Sequence, residues 1–359
     1  MAEMKIAGEM FNVEVVGPAR APTIMLSNSL GTNLHMWDGQ IAVLTKYFKV
    51  VRYDSRGHGK SPVSGGAYSI AGLGRDALAI MDALELDRVH WLGLSKGGMV
   101  GQWLLANARE RIGRAILANT AAQLNTPDFW NTRIRTVLSQ GMGAIIPMVI
   151  DRWFTPAWQI KAPQEIARVV DMLATTPAHG YAGCCGAIRD MDQRDSIRSI
   201  SNPVLVIVGK HDPATTPEAG ALIASSIRGS RLATLDAAHL SNIEAASEFN
   251  KAVMSFMLDT SLRFSPPGPA AKKAVPARPP AKTAMRPAAK PAARKAATGK
   301  TAARKAAART APARKAAKPG AARKTVKKAG KASAVRKPAA KSAAQKKAAA
   351  KKAAARGKR

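Results

Sequence analysis

Residues 265–359 contain no aspartate, no glutamate and no aromatic side chain, although they carry 30 of the 56 Lys and Arg residues of the chain. Such a tract cannot bury enough apolar surface to offset chain entropy, so it is expected to be disordered when free. Cysteine is nearly missing as well. The only two, Cys184 and Cys185, are adjacent and poorly placed to bridge each other, so a reduced, cytoplasmic setting is expected. No uninterrupted apolar run approaches the ~18 residues of a membrane span, and no membrane partner is expected. Residues 1–15 lack both a basic start and a continuous apolar stretch, so a secretory leader is not expected either. The six histidines show no paired ligand spacing, which argues against a metal site.

The charge of +33 is therefore two charges in one chain. Up to Phe264 there are 26 basic against 23 acidic residues, and the composition breaks at Ser265-Pro266-Pro267-Gly268-Pro269. The first part is long enough for one large domain with a substantial core. Short β-branched runs at 11–16, 23–27, 50–54, 88–93, 114–118, 203–209 and 231–235 predict strands. Amphipathic stretches near 37–47, 71–84, 99–107, 217–226 and 245–258 predict helices between them. That alternation predicts an α/β architecture with a mostly parallel sheet covered on both faces. From about Leu124 to Ser199 the pattern is helical without strands, broken at Pro147, Pro156, Pro163 and Pro177. It reads as a helical cap inserted into the sheet domain. The expected division is 1–123 core, 124–199 cap, 200–264 core and 265–359 tail.

The most informative stretch is Gly93-Leu94-Ser95-Lys96-Gly97, a G-x-S-x-G turn between an apolar run and an apolar helical pattern. A strand–turn–helix of this kind presents its serine on a sharp turn, where glycines two before and two after avoid Cβ clashes. Serine is a poor nucleophile until a base takes its proton, and the base needs an orienting carboxylate. Asp212, just past the run 203–209, and His239, in the loop after 231–235, supply these in the order acid, then histidine. His211 precedes the acid and reads as a loop residue. Asp236 competes with Asp212 but lies only three residues before His239, a poor geometry. Two backbone N–H groups should hold the developing oxyanion, that of Lys96 and that of Leu30 in the loop Ser27–Thr32. The glycine-rich stretch Asp54–Ser61 lacks the spacing of a phosphate-binding loop and reads as a turn locked by its Arg and His side chains.

Taken together, Asn28–Thr32 with Met36-Trp37, the D-x-R-G-H-G-x-S turn at 54–61, residues 93–104 and residues 239–244 resemble the α/β-hydrolase superfamily. The cap stretch Gly180–Asp192 narrows the likeness to 3-oxoadipate enol-lactonases of aromatic-compound catabolism. The likeness covers about residues 5–260. Lys96 departs from it, since an uncharged residue is more usual there. The resemblance implies an α/β-hydrolase fold with an eight-stranded, mostly parallel sheet and a cap after strand 6. It also implies hydrolysis of a small-molecule enol-lactone to 3-oxoadipate in the β-ketoadipate pathway, without metal or organic cofactor. That substrate is anionic, so a cation should wait in the pocket. Arg133, with Trp130 packing beside it, is the leading carboxylate clamp, a solvated helix face being the other reading. Arg135 and Arg189 are alternatives, and Trp153 and Phe154 read as cap core.

The tail repeats Ala-Arg-Lys-Ala-Ala at 293–297, 303–307 and 313–317 and resembles the C-terminal arms of linker histones and bacterial histone-like proteins. A flexible polycation gains by releasing counterions from a polyanion, so non-specific DNA or RNA binding, and with it nucleoid association, is expected. Two other function classes stay open from sequence. One is a different hydrolase on the same fold (carboxylesterase, carbon–carbon bond hydrolase or cofactor-free haloperoxidase). The other is a nucleoid-associated binding protein using the fold as a scaffold.

Overall fold

In the computed structural model, which describes residues 2–6, 8–124 and 126–261, the short β-branched runs form one eight-stranded sheet. Its strands are β1 (Ala2–Ile6), β2 (Glu9–Val16), β3 (Thr23–Ser27), β4 (Lys49–Tyr53), β5 (Val89–Leu94), β6 (Ile112–Ala118), β7 (Val204–Gly209) and β8 (Arg231–Leu235). They lie in the order β1-β2-β4-β3-β5-β6-β7-β8. From β4 to β8 every pairing is parallel; β2 runs antiparallel to both β4 and β1. Every residue of β3 and β7 is buried, as continuous apolar runs in a two-sided sheet must be.

Helices cover both faces. Those of the sheet domain are α1 (Asp38–Leu44), α2 (Ile70–Ala83) and α3 (Lys96–Asn107) before the cap. The cap itself, between β6 and β7, is built from α4 (Pro127–Gln140), α5 (Ile146–Trp153), α6 (Pro156–Lys161), α7 (Pro163–Thr175) and α8 (Ala178–Arg189). After it come α9 (Pro217–Ser226), α10 (Ser241–Glu244) and α11 (Ala246–Met257). The prolines that interrupt the cap pattern prove to be helix starts rather than mere breaks. Pro147, Pro156 and Pro163 occupy the first or second position of α5, α6 and α7, and Pro177 is the N-cap of α8. There the fixed φ of proline suits the helix and its missing N–H costs nothing.

One strand leaves no signal in the sequence. β1 has only Met4 and Ile6 alternating with Glu3 and Lys5, too short for a period of two to stand out. It forms a hairpin on β2, with Gly8 at φ +88° before the second strand. No helix among the described residues is long and apolar enough to cross a membrane. The tail 265–359 lies outside the described residues.

Candidate active site

The carboxyl ends of β3, β5, β6, β7 and β8 converge on one edge of the sheet, where open α/β sheets bind ligands. Ser95, Asp212 and His239 each stand just beyond one of these ends. Ser95 follows β5 at φ 55° and ψ −115°, a left-handed conformation that a non-glycine residue adopts only under strain, and it opens α3. The sharpness of this turn explains the flanking glycines. A Cβ on Gly93 would meet the Gly97 carbonyl oxygen at 2.2 Å, and one on Gly97 would meet the Ser27 carbonyl oxygen at 2.0 Å.

Asp212 and His239 come together from the loops after β7 and β8. The His239 Nδ1–H donates to Asp212 Oδ2 at 2.8 Å, and both residues are buried. Four further donors saturate the carboxylate. Asn119 Nδ2 (3.0 Å) and Thr215 Oγ1 (2.8 Å) reach Oδ2, while the Ala214 and Thr215 N–H groups reach Oδ1 at 2.8 and 3.0 Å. Burial alone would raise the Asp212 pKa, but the charge and hydrogen bond of His239, with the Thr215 and Asn119 bonds, hold it down at about 2. Ser95 and His239 line one cavity of about 330 Å³ under the cap. No hydrogen bond joins the Ser95 hydroxyl to the imidazole here, a looseness common before substrate binds.

Leu30 lines the same cavity. Lys96 is the first residue of α3, where N–H groups have no intrahelical acceptor, so its amide is open to a ligand oxygen. The Lys96 side chain turns away into the interior. It is 1% exposed, its Nζ has no hydrogen-bond partner among the described residues, and burial lowers its ammonium pKa from the usual lysine range.

From the cap, Arg133 and Trp130 of α4 reach the cavity, and so does Arg152 of α5. The Arg133 guanidinium lies 4.8 Å from the Phe129 ring and 5.6 Å from the Trp130 ring. It is only 9% exposed; among the described residues its Nε has no partner, and the guanidinium bonds the Met148 sulfur at 3.5 Å. Arg135 bonds Thr132, and Arg189 bonds Asp190 and Asn131; neither lines the cavity. His211 pairs with Asp236 at 2.8 Å on the exposed rim, which removes both from the interior.

Several participants escaped the sequence reading. Asn119, at φ 42° after β6, also accepts from Ser241 Oγ at 2.5 Å and braces the Asp212 and His239 loops together. Trp153 and Phe154 are both buried in the core, but Trp153 also lines the cavity and stacks on the His239 ring at 6.2 Å, while Phe154 stacks on Trp158. Glu244 bonds the Ala238 N–H on one side and the Thr155 N–H on the other, tying the histidine loop to the cap. The turn at 54–61 is locked by more than Arg56 and His58. The Asp54 carboxylate accepts from the Leu34 and Lys60 N–H groups and from Asn12.

Comparison with known proteins bears on the same residues. The family model described as alpha/beta hydrolase fold matches residues 22–246, which include β3, the Ser95 turn, Asp212 and His239. The chain belongs to the α/β-hydrolase family. As an α/β-hydrolase it is 41% identical over 246 residues to 3-oxoadipate enol-lactonase 2 of Acinetobacter baylyi, covering 68% of this chain and 92% of that protein. Against 3-oxoadipate enol-lactonase 1 of the same organism the identity is 38%, over 70% of this chain and 94% of that protein. The crystal structure of the enol-lactonase from Burkholderia xenovorans superposes with a TM-score of 0.70 at 41% identity. It covers 71% of this α/β-hydrolase and 99% of that chain, so the likeness spans the relative nearly whole.

Proposed function

We propose that the protein opens 3-oxoadipate enol-lactone to 3-oxoadipate, with Ser95 as nucleophile, His239 as base and Asp212 as its orienting acid. The observation that carries this reading is the make-up of the cavity. Ser95 and His239 share it with two guanidinium groups, Arg133 and Arg152, and among the described residues no carboxylate lines it. A buried cation without a counter-ion is costly, and an anionic substrate would supply the missing charge. The enol-lactonase relatives support the choice of anion.

In this reading His239 Nε2 takes the Ser95 proton as Oγ adds to the lactone carbonyl. The Leu30 and Lys96 N–H groups stabilise the resulting oxyanion. Breaking the ring C–O bond expels an enolate that stays tethered to the acyl group and picks up a proton to become the ketone. Water, deprotonated by the same imidazole, then attacks the acyl-enzyme and releases the dicarboxylate. Arg133 holds the substrate carboxylate, with Trp130 closing one side.

The test is the relative kcat/KM of the full chain for the enol-lactone, for the same ring lacking its carboxymethyl group, and for p-nitrophenyl acetate. The carboxylate should be worth about 10²-fold, the size of a buried charge-assisted contact. Equal rates on the charged and uncharged lactones would remove the proposed substrate.

A second reading concerns residues 265–359 and rests on composition. Thirty cations without an opposing acid favour non-specific binding to duplex or RNA backbone by counterion release. Every described element ends before this tract, so residues 1–264 can be compared with the full chain. Only the full chain should bind duplex DNA, with an affinity that falls steeply as salt rises. Equal binding by both chains would contradict the assignment.

A further inference from the structure

We propose that His58 is a positioning residue for the oxyanion loop: its Nε2 lone pair fixes the Gly31 N–H and so aims the neighbouring Leu30 amide. The inference rests on the reading of Leu30 as an oxyanion donor, and it assigns the part of the molecule that holds that donor still. The Gly31 N–H donates to His58 Nε2 at 2.8 Å. The other ring nitrogen, Nδ1, lies 3.2 Å from the Arg56 carbonyl and donates to it, which leaves Nε2 as a bare acceptor. The ring is fully buried. Burial, and the nearby Lys96 side chain, hold its pKa well below the ordinary histidine range, so the acceptor persists at working pH.

The loop is gripped from the cap side too. Gly31 sits at φ +78°, and a Cβ there would meet Leu173 Cδ2 at 2.7 Å and Tyr181 Cε2 at 3.0 Å. Its carbonyl accepts from Thr176 Oγ1 at 3.2 Å, although that hydroxyl also reaches the Met172 carbonyl at 2.7 Å and shares one proton between them. His58 is held in turn by its own turn packing on the cap, where a Cβ on Gly57 would meet Gly180 Cα at 2.6 Å. The peptide before Gly31 therefore has one strong directional restraint, the imidazole, inside a sterically closed slot. Displacing an oxyanion donor acts on the transition state and leaves substrate binding nearly untouched.

The test compares His58→Asn with His58→Gln in the full chain, on the enol-lactone and on p-nitrophenyl acetate. Asparagine places its amide at the Nδ1 position and cannot reach Gly31, whereas the glutamine Oε1 can replace Nε2 as acceptor. His58→Asn should lower kcat about 30-fold, a fraction of the 10²–10³-fold loss on removing a donor outright, with KM within about twofold. Affinity for a trifluoromethyl ketone, which forms a tetrahedral oxyanion on serine, should fall by the same factor. His58→Gln should restore both to within about threefold. Wild-type kcat in His58→Asn, or equal losses in both variants, overturns the proposal. Should the Asn chain fail to fold, the Gln chain decides: near-wild-type kcat supports the role, and a 30-fold loss at unchanged melting temperature rejects it. Inactivity of the wild type on the lactone alone would remove the substrate reading, and His58 would still be measured on the ester.

Discussion

Asp212→Asn should lower kcat about 10⁴-fold on any substrate this site turns over, with the fold intact. The reason lies in which oxygen each donor faces. Oδ1 receives two backbone N–H groups, from Ala214 and Thr215, which cannot turn away. In the variant the amide oxygen must occupy that position, so the NH2 group takes the place of Oδ2 and points at His239 Nδ1. An NH2 donor there requires Nδ1 to be unprotonated, which moves the ring proton to Nε2. Histidine then offers Ser95 a donor where the reaction needs an acceptor. The measurement is steady-state kcat, with circular dichroism to show a native fold; a loss of less than tenfold would refute the assignment of Asp212. The pKa of about 2 also fixes a sign. A carboxylate depressed below its ordinary 3.8 contributes stability that is complete above that value and is lost as pH falls toward 2. Any loss of activity between pH 5 and 7 must therefore come from another group.

Arg133→Leu should separate activity from stability. Among the described residues the guanidinium has no ion-pair partner, so its removal relieves a buried charge and costs its ring contacts and a weak hydrogen bond to the Met148 sulfur. The variant should melt no lower than the wild type. Its kcat/KM for the anionic lactone should fall about 10²-fold, while p-nitrophenyl acetate, which carries no charge, should be turned over at nearly the original rate. Parallel losses on both substrates would make Arg133 a structural residue.

How much of this was legible in the sequence depended on whether a residue acts through its neighbours in the chain. The strands with continuous apolar runs, such as 23–27 and 203–209, and the strand–turn–helix around Ser95 are local patterns, and seven of the eight strands stood out on that basis. β1 did not, because its stability comes from pairing with β2 rather than from its own five residues. Within the site, chain order singles out Ser95, Asp212 and His239, each at a strand end. Asn119 and Thr215 carry no such signal: an asparagine with φ 42° becomes informative only once it is seen to bridge two distant loops. Trp153 is buried in the core, as adjacent aromatics usually are, but its second role against the cavity and the His239 ring depends on the fold and carries no local signal. Arg152 has no sequence signal because it enters the cavity from a helix whose inward face the prolines obscure; its Nη2 donates to the Pro213 carbonyl at 2.7 Å beside the Asp212 loop. The sequence marks Lys96 for its amide alone; the burial of its side chain, without a hydrogen-bond partner among the described residues, carries no local signal.

The most direct test of the central claim is titration of the full chain with a fluorophosphonate while lactone turnover is followed. One equivalent should attach to Ser95, located by peptide mass, and turnover should fall in step with labelling. Full turnover with Ser95 completely modified, or stoichiometric loss of activity through a label on another residue, would contradict the account.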